Sequence, residues 1–173
     1  MDISTLEKYD VQKMYKVYDK WPEIARESFE SNQEQIHFDN IDHIVFAGMG
    51  GSGAIGDLFD SILSKSNIHV SLVKGYLLPK TVDKNTLVVV TSVSGNTSET
   101  LTVMDSAKKI DCSLIAFSSG GKMKEICERD KITFKKIPIF HSPRTSLVGF
   151  TYSILKTLNS ILPIGKKDVI ESL

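Results

Sequence analysis

The chain has 173 residues, of which 41% are hydrophobic and 24% charged, and 21 basic residues balance 21 acidic ones. This composition predicts one soluble domain with a substantial core, and zero net charge argues against a nucleic-acid binder that relies on bulk charge. No apolar run is long enough to cross a membrane, and the first residues lack the basic and apolar stretches of a secretory signal. We therefore expect a cytoplasmic protein. Its two cysteines predict free thiols, and its four scattered histidines do not indicate zinc.

Residues 1–38 are predicted to form a helical segment. Apolar and aromatic residues recur near helical spacing over 6–21. Pro22 suits the first turn of a second helix, which carries Ile24 and Phe29 on one face. We expect these helices to pack on the main domain, and a contact between two copies of the chain is the alternative use of the same apolar stripe.

From Asp42 onward, short apolar runs alternate with stretches of helical periodicity. The predicted strands are 43–47, 68–73, 87–91, 112–117 and 132–137. The predicted helices are 54–63, 98–110, 122–129 and 147–162, and Pro163 is expected to end the last of them. Strands that are apolar on both faces and separated by helices indicate a parallel sheet covered on both sides. We predict an α/β fold, a three-layer doubly wound sandwich around a five-stranded, parallel, flavodoxin-like sheet.

Ligands of open parallel sheets bind beyond the carboxyl ends of the strands, so the loops there are the first places to search. The loop Gly48–Gly53 follows the first strand and matches the pattern GxGxxG. Its glycines allow the backbone to approach an anion at the start of a helix. A dinucleotide site requires an acidic residue about 20 residues further on, where this sequence has Val73 and Lys74. A turn with a purely structural role is the remaining alternative.

The second loop, Thr91–Thr100, follows the most apolar strand and is rich in hydroxyl groups. Hydroxyls and amide N–H groups at the positive end of a helix form a phosphate site that needs no lysine. Simple capping, with Asn96 as the N-cap and Glu99 at N3, explains those two residues. It does not explain the three hydroxyl residues Ser92, Ser94 and Thr97.

The third loop contains Arg144, which follows Pro143 between the last predicted strand and the closing helix. An arginine on the same edge as two anion-binding loops can stabilise negative charge that develops on a substrate. A solvated surface arginine is an equally simple interpretation. We assign no role to His141.

The three loops, in this order, resemble those of the sugar isomerase (SIS) domain family, and most of all the N-terminal half of bifunctional phosphoglucose/phosphomannose isomerases. The motifs are GMGGSG at 48–53, SVSGNTSET at 92–100 and SPR at 142–144. The resemblance implies that the phosphate of a sugar phosphate is held by Ser92, Ser94 and Thr97. It also implies that the sugar contacts Gly51 and Ser52, and that Arg144 is catalytic and stabilises a cis-enediolate. Val93 stands between the two serines where relatives often have tyrosine or lysine.

The resemblance implies an aldose–ketose isomerase that converts glucose 6-phosphate or mannose 6-phosphate to fructose 6-phosphate without a cofactor. Enzymes of this family carry the catalytic base, a histidine and a lysine in a second SIS domain. We expect residues 1–173 to be a single SIS domain, without that second domain. This single domain is expected to supply the phosphate- and sugar-binding half of the site. The alternatives are a stand-alone SIS module that binds a sugar phosphate without turnover and, less favoured, a nucleotide-binding domain. We expect a homodimer, because SIS relatives commonly pair, and neither a nucleic-acid nor a membrane partner.

Overall fold

A five-stranded parallel sheet lies at the centre of the structure, a computed structural model that describes residues 3–31, 36–162 and 164–172. The strands are β1 (His43–Ala47), β2 (His69–Val73), β3 (Thr86–Ser92), β4 (Ser113–Ser118) and β5 (Thr133–Lys136). Their spatial order is β2-β1-β3-β4-β5, and all neighbours are parallel. The predicted α/β fold with a flavodoxin-like sheet is therefore confirmed.

Helices cover both faces of the sheet. They are α1 (Ile3–Tyr9), α2 (Tyr15–Asp19), α3 (Trp21–Glu30), α4 (Gly51–Leu63), α5 (Ser98–Ala107), α6 (Gly121–Asp130), α7 (Leu147–Thr157) and α8 (Lys166–Glu171). One hydrophobic cluster joins α3, α4 and α7 to one face of the sheet, and a second joins α5 and α6 to the other. Alternate residues of the buried strand β1 enter different clusters, as the pleat of a strand requires: Phe46 enters the first and Val45 the second. None of the helices among the described residues is long and apolar enough to span a bilayer.

The order of the strands creates a cleft at their carboxyl ends. The chain leaves β1 on one side towards β2 and then crosses to β3, which lies on the other side of β1. Ala47 pairs with Val90 in the register of these two strands, so the loops that follow them start side by side and diverge. Such a switch point is where open parallel sheets bind their ligands.

The N-terminal segment packs on the domain through α3. Ile24, Ala25 and Phe29 are buried, and the indole N–H of Trp21 donates to the carbonyl oxygen of Thr145 at 3.0 Å. The expected packing of the second helix is therefore confirmed. The continuous apolar stripe predicted over 6–21 is instead divided between α1 and α2, because Lys13 has a φ of 55° and no helix continues through it.

The C-terminal part differs from the sequence prediction. Helix α7 ends at Thr157, five residues before its predicted end, and Pro163 lies outside the described residues. The apolar spacing continues past Thr157 because Leu158 and Leu162 enter the core from turns rather than from helix. Helix α8 has no counterpart in the sequence prediction.

Both cysteines are free thiols, as expected. Cys127 is buried between α6 and the sheet, and burial raises its pKa to about 11. Its thiol is therefore protonated at neutral pH and unreactive. Burial also raises the pKa of Cys112.

A buried histidine joins three strands at the opposite, amino-terminal edge of the sheet. The Nδ1 atom of His43 lies 3.2 Å from the Thr86 hydroxyl, and Nε2 lies 2.9 Å from the Ser71 hydroxyl. The Thr86 hydroxyl donates its proton to an Asp83 carboxylate oxygen at 3.1 Å, so it can only accept from His43. His43 then carries its proton on Nδ1, and Nε2 accepts from Ser71. In this arrangement both ring nitrogens of the neutral imidazole have a partner, and the Ser71 hydroxyl also lies 3.4 Å from Nε2 of His69.

We expect the folded state to lose stability as the pH falls below neutrality. Burial, and next the neighbouring His69, lowers the pKa of His43 from its usual 6.5, although Asp42 and Asp83 oppose this shift. The unfolded chain therefore binds more protons than the folded one once the pH falls through 6.5, and unfolding becomes easier. The drop in Tm between pH 8 and pH 5.5 is expected to shrink in His43→Gln.

The matched control for this prediction is His37→Gln, which changes an exposed histidine outside the network. It is expected to keep the full pH dependence of the wild type. Equal pH dependence in the two variants would contradict the assignment to His43.

Candidate functional site

A cavity of about 420 Å³ opens at the carboxyl edge of the sheet, among the loops that follow β1, β3 and β5. Its wall is formed by Met49, Gly51, Ser52, Ala54, Val93, Ser94, Thr97, Pro143, Arg144 and Leu147. All three predicted loops contribute to it. The wall contains every predicted site residue except Ser92. The apolar lining residues were not predicted as site residues, because a single apolar side chain gives no signal that separates a cavity wall from a core.

The glycines of the first loop serve two purposes. A Cβ atom on Gly48 would lie 2.7 Å from the carbonyl oxygen of Ser52, and one on Gly53 would lie 2.9 Å from that of Gly48. These two glycines allow the turn to close on itself, as the structural alternative requires. A Cβ on Gly51 would meet no atom within 4 Å, and Gly51 lines the cavity. The open side of the loop and the start of α4 therefore face the cavity.

The position at which a dinucleotide site needs an acid holds a cation. Lys74 directly follows β2, and its ammonium group lies 2.7 Å from both carboxylate oxygens of Asp57 on α4. Asp57 is half exposed in this ion pair. A lysine cannot accept a hydrogen bond from a ribose hydroxyl, so the structure supports the interpretation against a dinucleotide.

Two hydroxyl residues of the second loop line the cavity, and a third is buried. Ser94 is exposed and Thr97 half buried, and both line the cavity. Ser92 is only 2% exposed. Its hydroxyl oxygen accepts a hydrogen bond from the N–H of Gly95 at 3.1 Å and lies 2.9 Å from the hydroxyl oxygen of Thr97. In this structure Ser92 therefore contacts its own loop rather than the open cavity.

The predicted capping by Asn96 is wrong. Helix α5 begins at Ser98, and its N-cap is Thr97 in extended conformation, with no side-chain capping bond within the described part of the chain. The side-chain oxygen of Asn96 instead accepts from the backbone N–H of Lys122 at 3.1 Å, in the first turn of α6. The first turn of α5 is thus left with N–H groups that have no helical carbonyl to bind, and these are available to an anion.

Hydrogen bonds within the third loop fix its conformation, and Arg144 of this loop lines the cavity. The hydroxyl of the buried Thr145 donates to the carbonyl oxygen of Phe140, and that of Ser146 donates to the carbonyl oxygen of Ser142 at 2.7 Å. His141 lies 3.0 Å from the carbonyl oxygen of Gln12 through its Nε2 atom and so links this loop to the N-terminal segment. Arg144 is exposed, and no salt bridge to it occurs among the described residues, so its charge is available to a bound anion.

The electrostatics of the cavity favour an anion. The N-termini of α4 and α5 both border it, and each carries a partial positive charge. Arg144 adds a full positive charge, and the described residues of the wall include no carboxylate. The arrangement can bind an anion and stabilise developing negative charge, but it offers no carboxylate to act as a base.

We expect Thr97→Val to weaken the binding of a sugar phosphate, the ligand that the sequence predicts for this cavity. The valine keeps the shape of the side chain but removes the hydroxyl of a residue that lines the cavity. A hydrogen bond to a charged group contributes about 1.5–3 kcal/mol, so the Kd should rise by roughly 10- to 150-fold in a calorimetric titration.

The control is Thr102→Val on the same helix. The hydroxyl of Thr102 donates to the carbonyl oxygen of Ser98 at 2.8 Å on the exposed face of α5. Its removal should leave the Kd unchanged, and equal losses in the two variants would contradict a direct role for Thr97.

Comparisons with known proteins identify the family of the chain. The family model described as SIS domain matches residues 37–162. The chain is 35% identical over 148 residues to a bifunctional phosphoglucose/phosphomannose isomerase of Caldicellulosiruptor bescii, a match that covers 83% of the chain and 43% of that protein. It is 31% identical over 145 residues to a D-glucosamine-6-phosphate 4-epimerase of Sulfolobus acidocaldarius, covering 83% and 44%. The chain thus spans less than half the length of these curated relatives.

A solved structure, that of a protein from E. coli CFT073, has the same fold over nearly its whole length. The two superpose with a TM-score of 0.60, and the match covers 99% of both chains at 18% sequence identity.

Proposed function

Because the chain belongs to the SIS domain family, we propose that its cavity binds a sugar phosphate and forms the phosphate- and sugar-binding half of a phosphosugar isomerase site. The observation that carries this proposal is the meeting of Ser94, Thr97 and Arg144 on one wall, between the N-termini of α4 and α5. Similarity to the phosphoglucose/phosphomannose isomerase supports glucose 6-phosphate, mannose 6-phosphate and fructose 6-phosphate as the ligands.

In this proposal the phosphate lies at the start of α5. The hydroxyls of Ser94 and Thr97 and the N–H groups of the first turn donate to its oxygens. Ser92 holds the hydroxyl of Thr97 from behind, at 2.9 Å. The sugar then extends across the cavity towards Gly51 and Ser52, whose loop borders the same space.

Arg144 is the proposed catalytic residue. Isomerisation of an aldose to a ketose moves a proton between C2 and C1 through a cis-enediolate, and this requires a base and a positive group beside the enediolate oxygens. The guanidinium of Arg144 supplies the positive group. Since the described wall contains no carboxylate, the base is proposed to come from outside this chain.

The binding test uses the chain itself. Fructose 6-phosphate is expected to bind saturably in a calorimetric titration, and fructose, which lacks the charged group, is expected to bind at least 100-fold more weakly. Equal binding of the two sugars, or no binding of either, would refute the proposed phosphate site.

The activity test uses the full gene product. Glucose 6-phosphate and mannose 6-phosphate are expected to be converted to fructose 6-phosphate without added metal. A protein that binds fructose 6-phosphate but converts neither sugar would instead be a non-catalytic binding module. That second candidate is favoured by the absence of a carboxylate from the described cavity wall. The expected homodimer stays a prediction, for which light scattering is the direct measurement.

A further inference from the structure

The loop after β4 is fastened to the loop after β3. We call residues 118–122 the support loop and residues 92–97 the phosphate loop. Both the N–H and the hydroxyl of Ser119 donate to the carbonyl oxygen of Val93, at 3.1 and 2.7 Å. The N–H groups of Lys122 and Met123 donate to Asn96 Oδ1 at 3.1 Å and to the carbonyl oxygen of Gly95 at 2.9 Å.

These bonds use the N–H groups of the first turn of α6. In α5 such groups border the cavity, whereas in α6 the phosphate loop already accepts their hydrogen bonds. The support loop is therefore not a second anion site. The N–H groups of Ser119 and Lys122 and the hydroxyl of Ser119 donate to the phosphate loop.

The two loops also approach each other too closely for a side chain. Gly121 has a φ of 66°, and a Cβ there would lie 2.4 Å from the carbonyl oxygen of Ser94. Ser94 and its neighbour Val93 line the cavity. A displacement of the support loop would therefore move the cavity wall.

Asn96 stabilises the turn of the phosphate loop through both the oxygen and the nitrogen of its side-chain amide. Its Oδ1 accepts from Lys122, and its Nδ2 donates to the carbonyl oxygen of Ser94 at 3.2 Å. Neither Asn96 nor Ser119 belongs to the cavity wall. Any effect of these two residues on a ligand must therefore act through the backbone that they hold.

We propose that Ser119 and Asn96 are positioning residues, which hold residues 93–97 in the conformation that presents the hydroxyls of Ser94 and Thr97 to a phosphate. This inference rests on the proposed function, because it assigns the phosphate to that loop. It extends the functional unit to a segment outside the three motifs of the sequence.

The experiment compares a variant that loses one side-chain hydrogen bond, Ser119→Ala, with one that loses two, Asn96→Ala. In Ser119→Ala, which removes the 2.7 Å bond to Val93, the Kd for fructose 6-phosphate is expected to rise by about five- to tenfold. Asn96→Ala is expected to weaken binding at least as much, because it also leaves the N–H of Lys122 without its acceptor. Ser119→Thr keeps the hydroxyl and is expected to restore the affinity.

The matched control is Ser106→Ala. The hydroxyl of Ser106 donates to the carbonyl oxygen of Thr102 at 2.9 Å, the same kind of bond on α5 but away from the loops. This variant is expected to bind like the wild type. Equal affinities in Ser119→Ala and the wild type would overturn the inference.

Amide hydrogen exchange of the unliganded protein separates this inference from the proposed function. Exchange in residues 93–97 is expected to become faster in Ser119→Ala, while the Tm changes little. If the wild type binds no sugar phosphate, the proposed function fails, and the exchange measurement alone decides the inference. Unchanged exchange in Ser119→Ala would then overturn it, and faster exchange confined to that loop would support it.

Discussion

Gly95→Ala is expected to destabilise the protein by about 4 kcal/mol and to abolish the binding of fructose 6-phosphate. Gly95 has a φ of +69°, and a Cβ there would lie 1.9 Å from the carbonyl oxygen of Gly120 and 2.6 Å from the hydroxyl oxygen of Ser118. The left-handed conformation alone costs a residue with a side chain about 1–2 kcal/mol. The Cβ meets a backbone carbonyl oxygen of Gly120, so no side-chain rotation can relieve the contact.

The two effects of Gly95→Ala are measured separately. Urea unfolding gives the loss of stability, which corresponds to a drop in Tm of about 8–16 °C for a chain of this size. A titration with fructose 6-phosphate gives the loss of binding. Gly75→Ala is the control, since its added Cβ meets no atom within 4 Å and Gly75 has no positive φ. Similar stabilities of the two variants would mean that the loops do not pack as closely as described.

Arg144→Gln is expected to lower the kcat of the full gene product by about 10²–10³-fold, the usual loss when one preorganised group that stabilises an oxyanion is removed. The glutamine retains a polar side chain but not the positive charge. Arg144 is exposed, so its replacement should change the free energy of unfolding by less than about 0.5 kcal/mol. The KM is expected to change less than the kcat, because the enediolate forms only during the reaction.

Two further variants test the assignment to Arg144. Arg144→Lys keeps the charge but not the planar fork of donors, and it should retain an intermediate activity. Arg26→Gln removes an exposed arginine of α3 that does not line the cavity, and it should have no effect. An unchanged kcat in Arg144→Gln would remove this residue from the proposed mechanism.

The central strands could be predicted nearly to the residue because burial on both faces selects β-branched and aromatic residues. β1 was predicted at its observed bounds, and β3 extends only one residue beyond its prediction at each end. The division between α1 and α2 could not be predicted, since Lys13 adopts a left-handed conformation without a glycine or proline to indicate it. Helix α7 was predicted too long because apolar spacing records which residues are buried, not which hydrogen bonds they make.

The site was predictable where its residues lie within one loop. Short motifs were sufficient to select Ser94, Thr97 and Arg144 as candidates, and all three line one cavity in the structure. Asn96 was assigned to the wrong helix because its partner, Lys122, is 26 residues away in the chain. A rule for capping considers only the next few residues and cannot detect a bond between two loops.

The packing of α3 on α7 affects the order in which the protein can fold during synthesis. The indole of Trp21 bonds to a carbonyl oxygen 124 residues later, and Phe29 is buried in the cluster that contains Phe150 and Ile154. Ribosomes add about 5–20 residues each second. Roughly 6–25 s therefore pass between the synthesis of α3 and that of the segment on which its apolar face packs. Throughout this interval the nascent chain exposes the hydrophobic surface of α3, to which a chaperone can bind.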